Sequence, residues 1–337
     1  MKRVGKILSI VVGLIAILLA IAINLTIGWR PFIGPRSRPL SHRTFERTPQ
    51  RLERGRYLAE NLMGCVECHS EHDFSALGAP PMRGKLGAGE VFPVEGLPGR
   101  VVAPNLTPDP ETGSGTWTDD QLARAIREGI GHDGRTLFPL MPYEYFRHMS
   151  DEDLASVVVF LRTLPPLRNL LPKTQIVFPV KYLMRSAPEP VTAPVSYPNL
   201  SSPVKRGEYL VKMATCMDCH SPQVKGKTLP GMQFAGGFRF KGPFGDVASA
   251  NITPDLTGIS YYDEELFLKV MHTGSVGARK LNPVMPWNYY RNLTDEDLKE
   301  IFAYLRTVQP VQHRVDNSER PTLCKLDNTM HGGGDRN

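Results

Sequence analysis

Behind Lys2, Arg3 and Lys6 the chain runs uncharged and strongly apolar from Ile7 to Ile27. A helix needs roughly 20 apolar residues to cross the hydrocarbon core of a bilayer, and basic residues hold its near end in the cytoplasm. Residues 1–30 therefore read as an N-terminal transmembrane anchor, with Trp29 at the far interface and everything after it outside the cytoplasm. A cleaved signal peptide is the rival reading, since Ala20, Ile21 and Ala22 form an A-x-A-like site after a shorter apolar stretch. The two readings share a compartment and differ only in the tether.

Further along, the apolar pattern becomes helical. Leu298, Ile301, Phe302 and Leu305 fall at i, i+3, i+4 and i+7, behind a capping-box-like start at Thr294 and Asp297. Leu154, Val157, Val158 and Leu161 make the same stripe behind Ser150 and Asp153. Thr118 and Gln121 open another helix that runs to about Glu128 and stops at Gly129. No convincing alternating strand is present, so the predicted fold class is all-α, helices joined by long loops.

These helices belong to a duplicated unit. Arg54-Gly55-Arg56-Tyr57-Leu58 is answered by Arg206-Gly207-Glu208-Tyr209-Leu210, and Cys65-Val66-Glu67-Cys68-His69-Ser70 by Cys216-Met217-Asp218-Cys219-His220-Ser221. Asn105-Leu106-Thr107-Pro108-Asp109 matches Asn251-Ile252-Thr253-Pro254-Asp255, Met141-Pro142-Tyr143 matches Met285-Pro286-Trp287, and Asp151 to Leu154 matches Asp295 to Leu298. The order is the same in both copies, while the offset drifts from 151 residues at the cysteines to 144 at the methionines, which places the length changes in loops. The predicted domains are 50–164 and 204–311. Between them, 165–203 is a Pro-rich, largely extended linker with an apolar middle from Ile176 to Met184. After Val311 the tail, 312–337, turns polar and ends in Gly332-Gly333-Gly334-Asp335, so disorder is expected there.

C-x-x-C-H is the attachment signature of haem c, in which two thiols bond the porphyrin and the adjacent His ligates iron. One helical turn points both sulfurs the same way and sets the His directly after them. The predicted cofactors are thus two covalently bound haem c groups, on Cys65 and Cys68 and on Cys216 and Cys219, with His69 and His220 as iron ligands. A structural zinc site would need its four ligands close together, and these pairs sit in separate domains. A thioredoxin-like dithiol would follow a strand, and none is visible. A disulfide closing so short a loop gains little and leaves both histidines unexplained. The modest apolar stripes also suit a fold that wraps a porphyrin.

Met141 and Met285 are the candidate sixth ligands, because each recurs in a Pro-bounded loop before an aromatic, poorly placed for helix packing. His132, His148 and His272 have no counterpart in the other repeat. A thioether favours ferrous iron, so His/Met ligation predicts carriers of fairly high potential. Asn105 and Asn251, with Thr107 and Thr253, are candidate donors to buried haem propionates, or else simple Asx turns before Pro. Tyr57 and Tyr209, beside Gly55 and Gly207, are placed where the first helix crosses the last, and read as packing. Cys324 lies in the polar tail with no partner or following His and is assigned no function.

Composition adds two constraints. A chain of 337 residues has room for two domains, and 41% hydrophobic content is too high for disorder despite 30 Gly and 30 Pro. A formal charge of +6 raises nucleic acid as a partner, but Lys and Arg are scattered with no basic stripe beyond the N-terminus, so nucleic acid is set aside. The haem propionates, about four negative charges, would offset most of that surplus.

Over residues 50 to 311 the chain resembles the class I cytochrome c family, and more narrowly the multihaem cytochrome subunits of membrane-bound bacterial alcohol and gluconate dehydrogenases. The resemblance rests on both C-x-x-C-H motifs, the N-[LI]-T-P-D segments, the M-P-[YW] loops and the connector with Val177-Phe178-Pro179. It implies two tandem cytochrome c domains that take electrons from a periplasmic catalytic subunit and pass them to quinone or another respiratory acceptor. Those subunits commonly carry three haem domains and no such N-terminal helix, so the implied partnership is an analogy. The expected protein is a membrane-anchored dihaem electron carrier of a bacterial inner membrane, its haem domains periplasmic and its partners redox proteins or a respiratory complex rather than a small-molecule substrate. The alternative is a haem enzyme such as a dihaem peroxidase, which would need an open or displaceable sixth position.

Overall fold

The computed structural model describes residues 2–76, 78–198, 201–224, 226–243, 245–317 and 322–331. Its helices, in chain order, are α1 (Lys2–Thr26), α2 (Arg30–Ile33), α3 (Pro49–Tyr57), α4 (Cys65–Cys68), α5 (Asp119–Glu128), α6 (Tyr143–Phe146), α7 (Asp151–Leu161), α8 (Val180–Leu183), α9 (Pro203–Met213), α10 (Cys216–Cys219), α11 (Glu264–Thr273), α12 (Trp287–Tyr290) and α13 (Asp295–Leu305). α1 is exposed along its length and is long and apolar enough to cross a membrane. A signal sequence would meet the same two criteria.

Each repeat is framed by its first long helix crossing its last. α3 starts on Thr48, whose side chain accepts the Arg51 N–H, with Pro at the first helical position, and α9 starts in the same way on Ser202. The crossings are closed at glycine. A Cβ on Gly55 would lie 1.9 Å from the Ser156 carbonyl oxygen, and one on Gly207 would lie 1.8 Å from that of Glu300. Arg54 to Asp153 (2.8 Å) and Arg206 to Glu300 (2.9 Å) brace the same crossings. α5 opens with a reciprocal Thr118 and Gln121 capping box and ends at left-handed Gly129, and α11 ends likewise at Gly274. Those glycines seat the aromatic after each Met-Pro pair: a Cβ would come 2.5 Å from the Tyr143 ring at Gly129 and 2.4 Å from Trp287 at Gly274.

The predicted stripes are buried at Leu154, Val157, Val158 and Leu161 and at Leu298, Ile301, Phe302 and Leu305. α7 exceeds its stripe, since every residue from Asp153 to Leu161 is buried. Short strands were not expected, yet among the described residues six two-stranded antiparallel ladders occur: β1 (Glu90–Val91) with β3 (Val102–Ala103), β2 (Gly99–Arg100) with β4 (Gln175–Ile176), β5 (Gln223–Val224) with β6 (Lys227–Thr228), β7 (Arg239–Gly242) with β8 (Gly245–Ala248), β9 (Ser275–Val276) with β10 (Arg279–Lys280), and β11 (Thr322–Leu323) with β12 (Met330–His331). Most are two residues long, too short to show an alternating pattern.

The repeats dock through reciprocal hydrogen bonds. Tyr57 of the first donates to Asp297 of the second and accepts the Thr294 N–H, while Tyr209 of the second donates to Asp153 of the first and accepts the Ser150 N–H. Each tyrosine therefore reaches the cap of the other repeat's last helix. Tyr57 and Tyr209, read from the sequence as packing rather than chemistry, both pack on the core and hydrogen-bond across the repeats.

The connecting segments are fastened rather than loose. Residues 34–47, without regular secondary structure, are fastened to the first repeat, where Arg38 pairs with Asp120 (2.7 Å) and Glu128 (2.7 Å) and the Ser41 N–H donates to Asp120. The linker returns to the first repeat as β4, and the Val195 N–H reaches Asp151. The tail also folds: β11 and β12 form a hairpin whose Asp327 and His331 are buried, as is His313. The expected disorder is thus corrected for the described tail residues, and Gly332 to Asp335 lie outside them.

Candidate cofactor sites

Both C-x-x-C-H segments form one helical turn, α4 and α10, entered through a left-handed residue, Gly64 (φ +60°) or Thr215 (φ +53°). His69 and His220 follow, with their N–H groups on the carbonyls of Cys65 (3.1 Å) and Cys216 (2.9 Å). The two rings are oriented alike. His69 Nδ1 lies 2.7 Å from the Pro104 carbonyl and His220 Nδ1 lies 2.7 Å from that of Ala250. A carbonyl can only accept, so Nδ1 carries the proton and Nε2 keeps its lone pair for a metal. Burial lowers the His69 pKa to about 4 and lowers that of His220 as well, which keeps both imidazoles neutral.

On these turns Cys65 and Cys216 are half-buried, while Cys68 and Cys219 are exposed. The donor set fits haem c: two sulfurs on one face of a turn, then a neutral imidazole with a free Nε2.

Met141 and Met285 occupy the same turn in each repeat. The Met141 N–H donates to Phe138 (3.0 Å) and its carbonyl accepts from Tyr143 (2.8 Å); the Met285 N–H donates to Asn282 (2.9 Å) and its carbonyl accepts from Trp287 (2.8 Å). Both side chains are half-buried against the core. Among the competing histidines, His132 and His148 are exposed, and both ring nitrogens of His272 are engaged, with Arg291 and Asp295.

Asn105 and Asn251 have a different role from propionate binding. Asn105 Nδ2 donates to Thr112 (3.1 Å) and the Leu167 carbonyl (2.7 Å), and its Oδ1 accepts from the backbone and hydroxyl of Thr107. Asn251 repeats this with Thr257, the Val311 carbonyl and Thr253. Both amide hydrogens are committed, so the propionate expectation for Asn105 and Asn251 is corrected: each N-[LI]-T-P-D segment pins the loop segment leaving its repeat's last helix. The residue just before it supplies the carbonyl that orients the histidine. Sequence reasoning missed Pro104 and Ala250, because a backbone carbonyl has no residue signature.

The two attachment turns face a shared interface. A Cβ on Gly64, next to Cys65, would lie 2.7 Å from the Tyr289 ring of the other repeat, and Asn288 donates to Glu67. The raised pKa of the Cys219 thiol comes first from burial, then from Asp218, Cys216 and, across the interface, Cys68.

This arrangement defines a c-type haem protein built on two repeats. The cytochrome c family profile matches residues 52–165 and again 204–309. The chain belongs to the cytochrome c family. It is 30% identical over 279 residues to a nicotinate dehydrogenase component of Pseudomonas putida, covering 77% of this chain and 21% of that protein. It is 29% identical over 279 residues to the cytochrome c subunit of the quinone alcohol dehydrogenase of Gluconobacter oxydans, covering 77% of this chain and 55% of that one. A diheme cytochrome c-type protein of Cereibacter sphaeroides is 29% identical over 262 residues, with 74% of this chain and 83% of that protein covered. The chain thus spans about a fifth of the first of these and about half of the second.

Proposed function

We propose that the chain is a dihaem electron carrier, held by α1 at the periplasmic face of a bacterial cytoplasmic membrane, which passes electrons between a respiratory donor and an acceptor without transforming a substrate itself. The observation that carries the reading is the duplicated site: two C-x-x-C-H turns, each with its histidine held by a backbone carbonyl so that Nε2 is free, set on one interface. Haem c, when attached, supplies a one-electron iron couple. The protein's part is to bond it through Cys65 and Cys68 or Cys216 and Cys219, to ligate through His69 or His220, and to close the site with Met141 or Met285. Relatives that are cytochrome c subunits of alcohol and gluconate dehydrogenases favour a dehydrogenase as donor.

The test is a haem-to-protein ratio together with an optical redox titration of the wild type and of Met141→Ala and Met285→Ala. The expected outcome is two haems per chain, low-spin spectra, and loss of one high-potential component in each variant. A high-spin haem in the wild type with peroxide turnover would overturn the carrier reading in favour of a peroxidase. Variants with unchanged potentials would remove the methionines from the ligand set.

A further inference from the structure

Behind the second repeat, four metal-binding side chains converge. His313 Nε2, Cys324 Sγ, an Asp327 carboxylate oxygen and His331 Nε2 all lie within 4.8 Å of one another. Individual separations are 3.4 Å for His313 Nε2 to Cys324 Sγ, 3.7 Å for His313 Nε2 to Asp327 Oδ2, and 2.8 Å for His331 Nε2 to Asp327 Oδ2. A tetrahedral zinc with bonds of about 2.0–2.3 Å sets its ligands roughly 3.3–3.7 Å apart, so shifts of up to about 1 Å would bring the cluster to that geometry. His313, Asp327 and His331 are buried and Cys324 is half-buried.

The surroundings orient these donors inward. His313 Nδ1 sits 2.9 Å from the Ala235 carbonyl, which fixes the proton there and leaves Nε2 toward the cluster. Asp327 Oδ1 accepts from the Thr329 N–H (3.0 Å) and hydroxyl (2.9 Å), which leaves Oδ2 for the site. Backbone bonds from the Cys324 N–H to the Thr329 carbonyl and from the Asn328 N–H to the Cys324 carbonyl close the hairpin that carries three of the four donors.

The two repeats differ at this point. Asn169 and His313 hold the same position: their N–H groups donate to Thr112 and Thr257, and their side chains meet the carbonyls of Ala88 and Ala235. The second repeat thus has an imidazole where the first has an amide. Gly89 and Gly236 both donate to the carbonyl of their repeat's haem-binding histidine, so Glu90 and Gly237 correspond. At Gly237 a Cβ would meet Asp327 Oδ2 at 2.6 Å, His313 Cε1 at 2.8 Å and His331 Nε2 at 3.1 Å, so a side chain here would fill the space on which the donors converge.

We propose that His313, Cys324, Asp327 and His331 bind one zinc ion in a closed four-coordinate site that fixes the C-terminal hairpin to the second repeat. Four protein ligands and no open position suit a structural rather than a catalytic ion. In an oxidising compartment, ligation would also shield the Cys324 thiol from disulfide formation. The inference does not rest on the electron-carrier reading.

The test uses the haem-loaded full chain, dialysed against Zn2+ and then against metal-free buffer, with zinc and iron counted in the same sample. One zinc per chain is expected, with one sulfur at about 2.3 Å and lighter ligands at about 2.0–2.1 Å by zinc-edge X-ray absorption. Cys324→Ser and His331→Gln should each weaken zinc binding by about 100-fold, and Thr329→Val, which removes the hydroxyl bond to the Asp327 carboxylate and keeps the backbone one, by about tenfold. Haem content and optical spectra should be unchanged in all three, which separates loss of the site from loss of the fold. Wild type that retains no zinc, a shell without sulfur, copper at the same donors, or full zinc retention in both ligand variants would overturn the proposal.

Discussion

Gly55 and Gly207 show how much of this fold rests on single side chains that are absent. In an exposed helix Gly→Ala stabilises by up to about 1 kcal/mol. Here the added methyl would enter a backbone carbonyl at 1.9 Å or 1.8 Å, and the helices would have to part. Overpacking of that kind costs about 1–3 kcal/mol and reverses the sign. Gly207→Ala should therefore lower stability by about 2 kcal/mol, read as a fall in the urea midpoint of the holoprotein, with the first repeat's haem spectrum retained. An unchanged midpoint would mean that α9 and α13 do not cross as closely as described.

At the scale of elements, the strap of residues 34–47 hangs chiefly on Arg38. Burial by itself would raise the Asp120 pKa, but the paired Arg38 and the Ser41 N–H and hydroxyl outweigh it and hold the carboxyl at about 2. A lowered folded-state value means that the ionised group contributes stability above its ordinary value of 3.8, and that this contribution is lost as pH falls from there through about 2. Protease cleavage of the strap should rise over that window in the wild type. Asp120→Asn should be cleaved at neutral pH and lose most of the acid dependence. α5, which carries these contacts, was legible in the sequence, as were α7 and α13, because their caps are local: Thr118 with Gln121, Ser150 with Asp153 and Thr294 with Asp297 each lie three residues apart. The role of Asn105 was not, since its partner at Leu167 lies 62 residues on and is a carbonyl. The tail hairpin was missed because its stability comes from polar groups meeting across distance rather than from an apolar period.

For the whole molecule, the decisive contacts are Tyr57 with Asp297 and Tyr209 with Asp153, which tie each repeat to the other's last helix. A hydrogen bond to a charged acceptor contributes about 1.5–3 kcal/mol, so Tyr57→Phe and Tyr209→Phe should each destabilise by that order. The wild type should unfold in one transition, with both haem environments lost together, and the double variant in two. The double repeat and both attachment motifs were legible in the sequence, because five motifs recur in one order, but the docking of the repeats was not. A tyrosine beside a helix crossing gives no sign that its hydroxyl belongs to the neighbouring unit.

The fastening of the N-terminal strap also sets a leash. α1 ends at Thr26, Pro31 is held through its carbonyl by Arg185, and Arg38 is locked to Asp120. Even fully extended, the few residues between those fixed points reach only about 3.3–3.6 Å each. With α1 in a membrane, as proposed, a globule on so short a leash could not swing out to meet a distant partner. On the proposed reading, with α1 in a bilayer, redox partners would have to come to the membrane surface.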